Sequence, residues 1–295
     1  MKEYVEGRDP GARAVQEIAE ACRRVGFFVV VDHGVPLELC DALWKECFAF
    51  WGRPPQSFIA GAVTQSPFVW LDFCPSPNTP VSPTDAKLHK DNWLLGPTEG
   101  RKGTQWRPDT PNMEKLWFQY YNHMENLLTI LMELFAMALD QPKHFFTQKL
   151  TTHNHPLRSV YYPGTCSTAE RAGEHTDWGC VTILMPDPHT SGLQIKNCDL
   201  SWTDVPLVPN SFVVNLGDLF PLWTGGKWRA TAHRVIAENK PNQAPRMSIP
   251  FFGLVDEDTV IEVIGQESGA QQDGIKKGLT AGEFFADHEK YSIYK

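Results

Sequence analysis

From Arg158 onward the chain breaks into short runs of β-branched and aromatic residues, and that texture limits its fold more than any other feature. The runs are Arg158 to Tyr162, Val181 to Met185, Gly192 to Lys196, Ser211 to Leu216, Ala230 to Ile236 and Arg246 to Phe252, with turn-forming residues between them. Strands this short, separated by turns, build a sandwich or barrel.

The first half has helical periodicity. Val15, Ile18, Ala19, Cys22 and Val25 fall on one face of a helix that Gly26 ends, and Phe27 to Val31 then reads as a strand closed by the turn Asp32-His33-Gly34. A second helix starts near Pro36, carrying Leu39, Leu43, Cys47 and Phe48 at helical spacing. Asn112 can cap a long helix to about Leu139, with Leu116, Tyr120, Leu127, Leu131, Leu134 and Ala138 turned to a core. Thr280-Ala281-Gly282-Glu283 fits a capping box and predicts a last helix. Between Gly52 and Pro111 the text is irregular and proline-rich, as a long functional loop would be. The expected organisation is an α+β fold with a mainly β core. Residues 1–155 form a helical N-terminal region with substrate-site loops, 156–260 the β core and 261–295 a C-terminal helical tail, all one integrated unit.

Composition removes several functions. The 295 residues are 42% apolar, enough for a sizeable core, and 27 Lys plus Arg against 35 Asp plus Glu give a net charge of -8 with no basic cluster for a nucleic acid. Met1 to Asp9 lacks an apolar h-region, and no stretch offers about 18 uninterrupted apolar residues, so neither secretion nor a membrane partner is expected. Seven cysteines without a C-x-x-C pair argue against a disulfide framework or structural zinc, and fit a reducing, cytoplasmic setting.

The chemistry concentrates in the second half. His175 and Asp177 stand two apart just before the run Val181 to Met185, and alternate residues of an extended segment project from one face. An imidazole and a carboxylate placed so can share a metal. His233, in the run Ala230 to Ile236, supplies a third ligand, and two His with one carboxylate suit iron(II) while leaving positions open. Arg246 and Ser248 repeat the alternate spacing; the guanidinium fork matches a carboxylate and the hydroxyl adds one hydrogen bond.

Taken together, His175-Thr176-Asp177, His233 and Arg246-Met247-Ser248 resemble the iron(II)/2-oxoglutarate-dependent dioxygenases, in the isopenicillin N synthase-like branch that holds plant hormone and flavonoid oxygenases. Gly26 to Val35, Tyr161-Tyr162-Pro163, Asn215-Leu216-Gly217-Asp218 and Trp223-Thr224-Gly225-Gly226 are similar to the same branch. This resemblance implies a double-stranded β-helix, or jelly roll, with flanking N-terminal helices and a C-terminal helix. It implies iron(II) on His175, Asp177 and His233, and 2-oxoglutarate as cosubstrate with its distal carboxylate on Arg246 and Ser248. Oxygen is the second cosubstrate, ascorbate a supporting reductant, and succinate and carbon dioxide the coproducts. A small metabolite is then hydroxylated, desaturated or oxidatively cyclised by what is expected to be a monomer.

Two departures from the branch stand out. The chain opens with Met1-Lys2-Glu3-Tyr4-Val5-Glu6 where relatives have an apolar strand, and Val160 replaces a common Asn, leaving Tyr162 as the hydroxyl beside 2-oxoglutarate. For the substrate, alternation puts Arg158 on the face of Tyr162 and Phe252 on the face of Arg246, a cation and an apolar wall that favour a carboxylate-bearing molecule. The stretch from Gly61 to Gly103 is expected to line or cover the site, with Lys90 and Trp93 as binding residues. His33 reads as structural, and His89, His123, His144, His153, His155, His189 and His288 have no partner at ligand spacing. Two other functions share this text: an oxidase that takes all its electrons from substrate, and a non-catalytic jelly-roll binding protein.

Overall fold

The computed structural model describes residues 12–51, 91–95, 111–153, 155–162, 164, 170–237, 244–265 and 277–286. Helix α1 (Ala12–Arg24) leads into β1 (Phe27–Val30), and α2 (Leu37–Trp51), β2 (Asp91–Leu95) and the long α3 (Met113–Ala138) follow. The second half holds β3 (Leu157–Tyr162), β4 (Glu170–His175), β5 (Val181–Met185), β6 (Leu193–Lys196), β7 (Trp202–Asp204) and β8 (Phe212–Leu216). After them come α4 (Leu219–Trp223), β9 (His233–Ile236), β10 (Arg246–Gly253) and α5 (Ala281–Ala286).

Two antiparallel sheets form a jelly roll. One runs β1-β8-β5-β10-β3-β2 and the other β4-β9-β6-β7. Alternation assigns the faces of the larger sheet. Val181, Ile183, Met185, Phe212, Val214, Leu216, Met247, Ile249 and Phe251 pack against the buried stripe of α3, which includes Trp117, Met124, Leu128 and Phe135. Residues of opposite parity face the smaller sheet, where Phe27 and Val213 meet Ala172, Leu193 and Val235. The outer face is therefore dry and anchored to helices, and the inner face is free to carry polar groups.

Local chemistry explains the element ends. Gly26 closes α1 at φ +73°, and a Cβ there would stand 2.1 Å from the Arg229 carbonyl oxygen, so only glycine fits this helix-to-strand corner. The capping box forms: Glu283 N–H donates to Thr280 Oγ1 and Thr280 N–H to Glu283 Oε2, each at 3.2 Å. Asn112 does not cap α3 through its side chain. Its backbone is already helical, at φ −93° and ψ −13°, whereas a capping side chain needs an extended residue. The irregular stretch 52–111 also contains β2, paired with β3 from Asp91↔Tyr161 to Leu95↔Leu157. Among the described residues no helix is long and apolar enough to cross a membrane.

Asp256 fastens the segment that enters β3. Its carboxylate accepts from Thr151 N and Oγ1 at 3.0 and 2.6 Å and from Thr152 N and Oγ1 at 2.8 and 2.7 Å. Burial raises its pKa, but these four bonds outweigh burial and hold the carboxyl below the usual value. A depressed folded pKa contributes stability above the unfolded value, about 3.9, and loses it as pH falls through the folded value. Wild type should therefore exceed Asp256→Asn in urea midpoint at neutral pH, and the gap should close below about pH 4. A gap that widened on acidification would refute this.

Candidate active site

Strand pairing brings the first two candidate ligands together. His175 ends β4, His233 begins β9, and the register sets them opposite each other with ring centroids 4.2 Å apart. Asp177 lies two residues beyond the end of β4 at His175, and its carboxylate reaches the same point. Asp177 Oδ1 lies 3.9 Å from His175 Nε2 and 3.7 Å from His233 Nε2, and the ligand atoms of all three residues lie within 4.8 Å of one another.

The segment around Asp177 is pinned from behind. Asp218 N–H donates to the Asp177 carbonyl at 2.8 Å and Gly217 N–H to the Cys180 carbonyl at 2.7 Å. A Cβ on Gly217 would come within 2.2 Å of the Gly179 oxygen and 2.8 Å of the Asp177 oxygen. Gly217→Ala should thus displace Asp177 and weaken metal binding about ten-fold or more, measured by Mn(II) titration; wild-type affinity would contradict the close approach.

Each imidazole is oriented through its other nitrogen. His175 Nδ1 lies 2.7 Å from the Gly173 oxygen and His233 Nδ1 lies 3.1 Å from the Thr231 oxygen. Since a carbonyl only accepts, both Nδ1 atoms carry the proton and both Nε2 lone pairs face Asp177. Thr182 Oγ1 and Asn215 Nδ2 donate to Asp177 Oδ2 at 2.5 and 2.7 Å. Burial raises the Asp177 pKa, but His233 and His175 in their protonated form, together with these two bonds, outweigh burial and hold the carboxyl below its ordinary value. The His175 side chain is 46% exposed against 9% for His233, so the group opens on the His175 side.

Arg246, Ser248 and Tyr162 lie on the inner face of the larger sheet. Arg246 pairs with Tyr162 across β10 and β3, its guanidinium stands 5.6 Å from the Tyr162 ring centre, and its Nη1 donates to Ser248 Oγ at 3.4 Å. All three are buried, and Arg246 Nε has no hydrogen-bond partner among the described residues. Burial lowers the Arg246 pKa, Tyr162 and Asp187 oppose that fall, and Arg171 adds to it. Asp187 does not bond the guanidinium, for its carboxylate accepts the backbone N–H groups of His189, Thr190 and Met247. A buried guanidinium in this state fits an incoming carboxylate.

Of the candidate substrate residues, Arg158 and Phe252 meet, with the guanidinium 5.3 Å from the ring centre. Trp93 stands opposite Ser159 in the β2–β3 register, while its side chain and Lys90 lie outside the described residues. A cavity of about 230 Å³ lies at the far end of β5 and β8 beside α2, and none of the metal or cosubstrate candidates lines it. His33 is buried there, accepting from Val35 N–H at 3.2 Å and packed on Phe212, as a structural histidine would be.

Sequence reasoning missed two groups. Thr182 and Asn215 were legible as isolated polar residues in apolar strands, yet received no role. His153 and His155 gather with Glu125 in a second cluster whose ligand atoms lie within 4.8 Å, which spacing did not reveal. It is poorly built for a metal. His155 Nδ1 accepts from Leu254 N–H at 3.1 Å, so the neutral ring carries its proton on Nε2, and burial, with His153 adding and Asp256 opposing, pulls its pKa down to about 4.

Comparison with known proteins gives the same direction. Residues 153–254 match the 2OG-Fe(II) oxygenase superfamily, and residues 3–57 match the non-haem dioxygenase in morphine synthesis N-terminal family. A gibberellin 2-beta-dioxygenase 2 from Arabidopsis thaliana is 30% identical over 83% of this chain and 72% of its own length. The 2-oxoglutarate-dependent dioxygenase traH from Penicillium crustosum is 29% identical over 82% and 78%. The fold is shared with a full-length Neurospora crassa protein solved in complex with alpha-KG and thymine, with a TM-score of 0.80, 20% identity and coverage of 97% of this chain and 95% of that one. JOX2, solved with 2OG, Fe and JA, gives a TM-score of 0.78 at 24% identity over 95% and 82%.

Proposed function

The chain belongs to the iron(II)/2-oxoglutarate-dependent dioxygenases, and from that premise we propose that His175, Asp177 and His233 hold the iron while Arg246, Ser248 and Tyr162 receive 2-oxoglutarate. The observation that carries this reading is the convergence of two Nε2 atoms and one carboxylate oxygen within 4.8 Å on the inner side of the jelly roll. The enzyme oxidises a small organic molecule. When bound, iron(II) and 2-oxoglutarate supply oxygen activation and the electrons that decarboxylation releases.

The chain's own residues do the rest. Gly173 and Thr231 fix the imidazole tautomers, so the ligand lone pairs need no reorganisation. Arg246 and Ser248 bind the distal carboxylate of the keto acid, which orients its other end, and the Tyr162 ring shields that pair from water. What favours a keto acid over the substrate-only oxidase is the buried Arg246 with its unused Nε. Oxygen uptake should require both iron(II) and 2-oxoglutarate and release one succinate per oxygen. Uptake without succinate would favour the oxidase, and no iron-dependent uptake at all would favour a binding protein.

We further read Arg158, over the apolar wall of Phe252, as the residue that meets an anionic group of the substrate. Lys90 and Trp93 remain residues of the substrate side in this reading. Arg158→Ala should raise the substrate KM about ten-fold with little change in kcat, the mark of lost binding shared by ground and transition states. A good substrate with no anionic group, or an unchanged KM, would refute it. Residues 1–155, 156–260 and 261–295 act as one catalytic unit, in our reading a monomer in the cytoplasm.

A further inference from the structure

We propose that Thr182 and Asn215 are positioning residues that confine Asp177 to a single metal-facing oxygen and so keep one coordination position open. The proposal rests on the reading of His175, Asp177 and His233 as metal ligands.

The argument begins with lone pairs. A carboxylate oxygen has two in its plane, and Asp177 Oδ2 accepts both the Thr182 hydroxyl at 2.5 Å and the Asn215 amide at 2.7 Å. None remains for a metal. Oδ1 is the oxygen that faces His175 and His233. The two donors are directly opposite each other across β5 and β8 in the larger sheet, and both are buried. Asp177 instead follows β4 of the smaller sheet. Its backbone is thus carried by one sheet's connection, and its carboxylate plane is set by the other sheet.

Coordination number gives this its consequence. A six-coordinate metal with three single-atom protein ligands keeps about three open positions, and a carboxylate binding through both oxygens would leave about two. A chelating keto acid together with oxygen needs the larger number. Thr182→Val removes a donor with almost no change of volume, and Asn215→Leu removes the other. Freed of its partners, Oδ2 can turn to the metal.

The test uses Mn(II) on the full chain, without keto acid, and reads the exchangeable waters on the ion by water-proton relaxation. Wild type and Thr182→Ser should hold about three, whereas Thr182→Val and the Thr182→Val/Asn215→Leu double variant should hold about two with Mn(II) still bound. In the same variants the affinity of the Mn(II) form for 2-oxoglutarate should fall about ten-fold, while that for succinate, which cannot chelate through a keto group, stays unchanged. Thr182→Ala replaces Val if the latter does not fold. Equal water numbers in wild type and variants would overturn the proposal alone, as would loss of Mn(II) in a folded variant, since Asp177 would then need the hydroxyl to ligate at all. A wild type that takes no Mn(II) would remove the metal reading and this proposal together.

Discussion

Asp177→Ala should abolish iron-dependent turnover. Asp177 supplies the one anionic atom within reach of both His175 Nε2 and His233 Nε2 among the described residues of that cluster, at 3.9 and 3.7 Å. Two neutral imidazoles alone bind iron(II) weakly in water. The substitution also strands the Thr182 hydroxyl and the Asn215 amide, both buried, so the fold should lose about 1–3 kcal/mol for each donor left unpaired. Circular dichroism and urea unfolding separate that loss from the loss of metal. Asp177→Asn keeps the shape but lacks the charge, and should recover stability in part without recovering turnover. Product formation by Asp177→Ala at the wild-type rate would disprove the triad.

Arg246→Gln should raise the 2-oxoglutarate requirement roughly ten- to a hundred-fold, because a charge-assisted contact is worth about 1.5–3 kcal/mol. Iron binding should be spared, since the contacts of Arg246 are with Ser248 and Tyr162 and not with His175, Asp177 or His233. Lys at this position keeps the charge but not the planar fork, so it should rescue only in part. Pyruvate has no distal carboxylate and would leave the guanidinium, 2% exposed, without its partner; wild type should turn over little with it. Succinate or acetate release against keto acid concentration reads all these effects. An unchanged 2-oxoglutarate dependence in Arg246→Gln would sink the clamp, and product formed without any keto acid would return the substrate-only oxidase to first place.

A sandwich or barrel was legible from the short β-branched and aromatic runs after Arg158, and the jelly roll from the family resemblance of the ligand and clamp motifs. Within Arg246 to Phe252 the spacing also put Arg246, Ser248 and Phe252 on one face. Strand β4 was not legible. Its residues, Glu170 to His175, include no β-branched side chain and no Phe, Tyr or Trp, and among the described residues it pairs with β9 alone, with register shifts along the pairing. Strand β7 has three residues and α4 has five, lengths at which periodicity carries no signal.

At the site, alternation placed Arg246 and Ser248 on one face because both lie within one strand. Thr182 and Asn215 could not be joined that way. Their common partner lies in the segment after β4, and recognising it requires knowing that β5 and β8 are neighbours. The same holds for Glu125 with His153 and His155, which come from α3 and the segment after it. Contacts within an element are written in local spacing; contacts between elements depend on strand order, which local spacing does not encode.

Anaerobic titration of iron(II) into wild type, His175→Ala, Asp177→Ala and His233→Ala tests the central claim most directly. One iron per wild-type chain is expected. Each alanine variant should lose more affinity than the roughly ten- to a hundred-fold that removal of a ligand's hydrogen-bond partner costs. Wild-type iron affinity in any of the three would contradict the assignment of His175, Asp177 and His233 as the metal ligands.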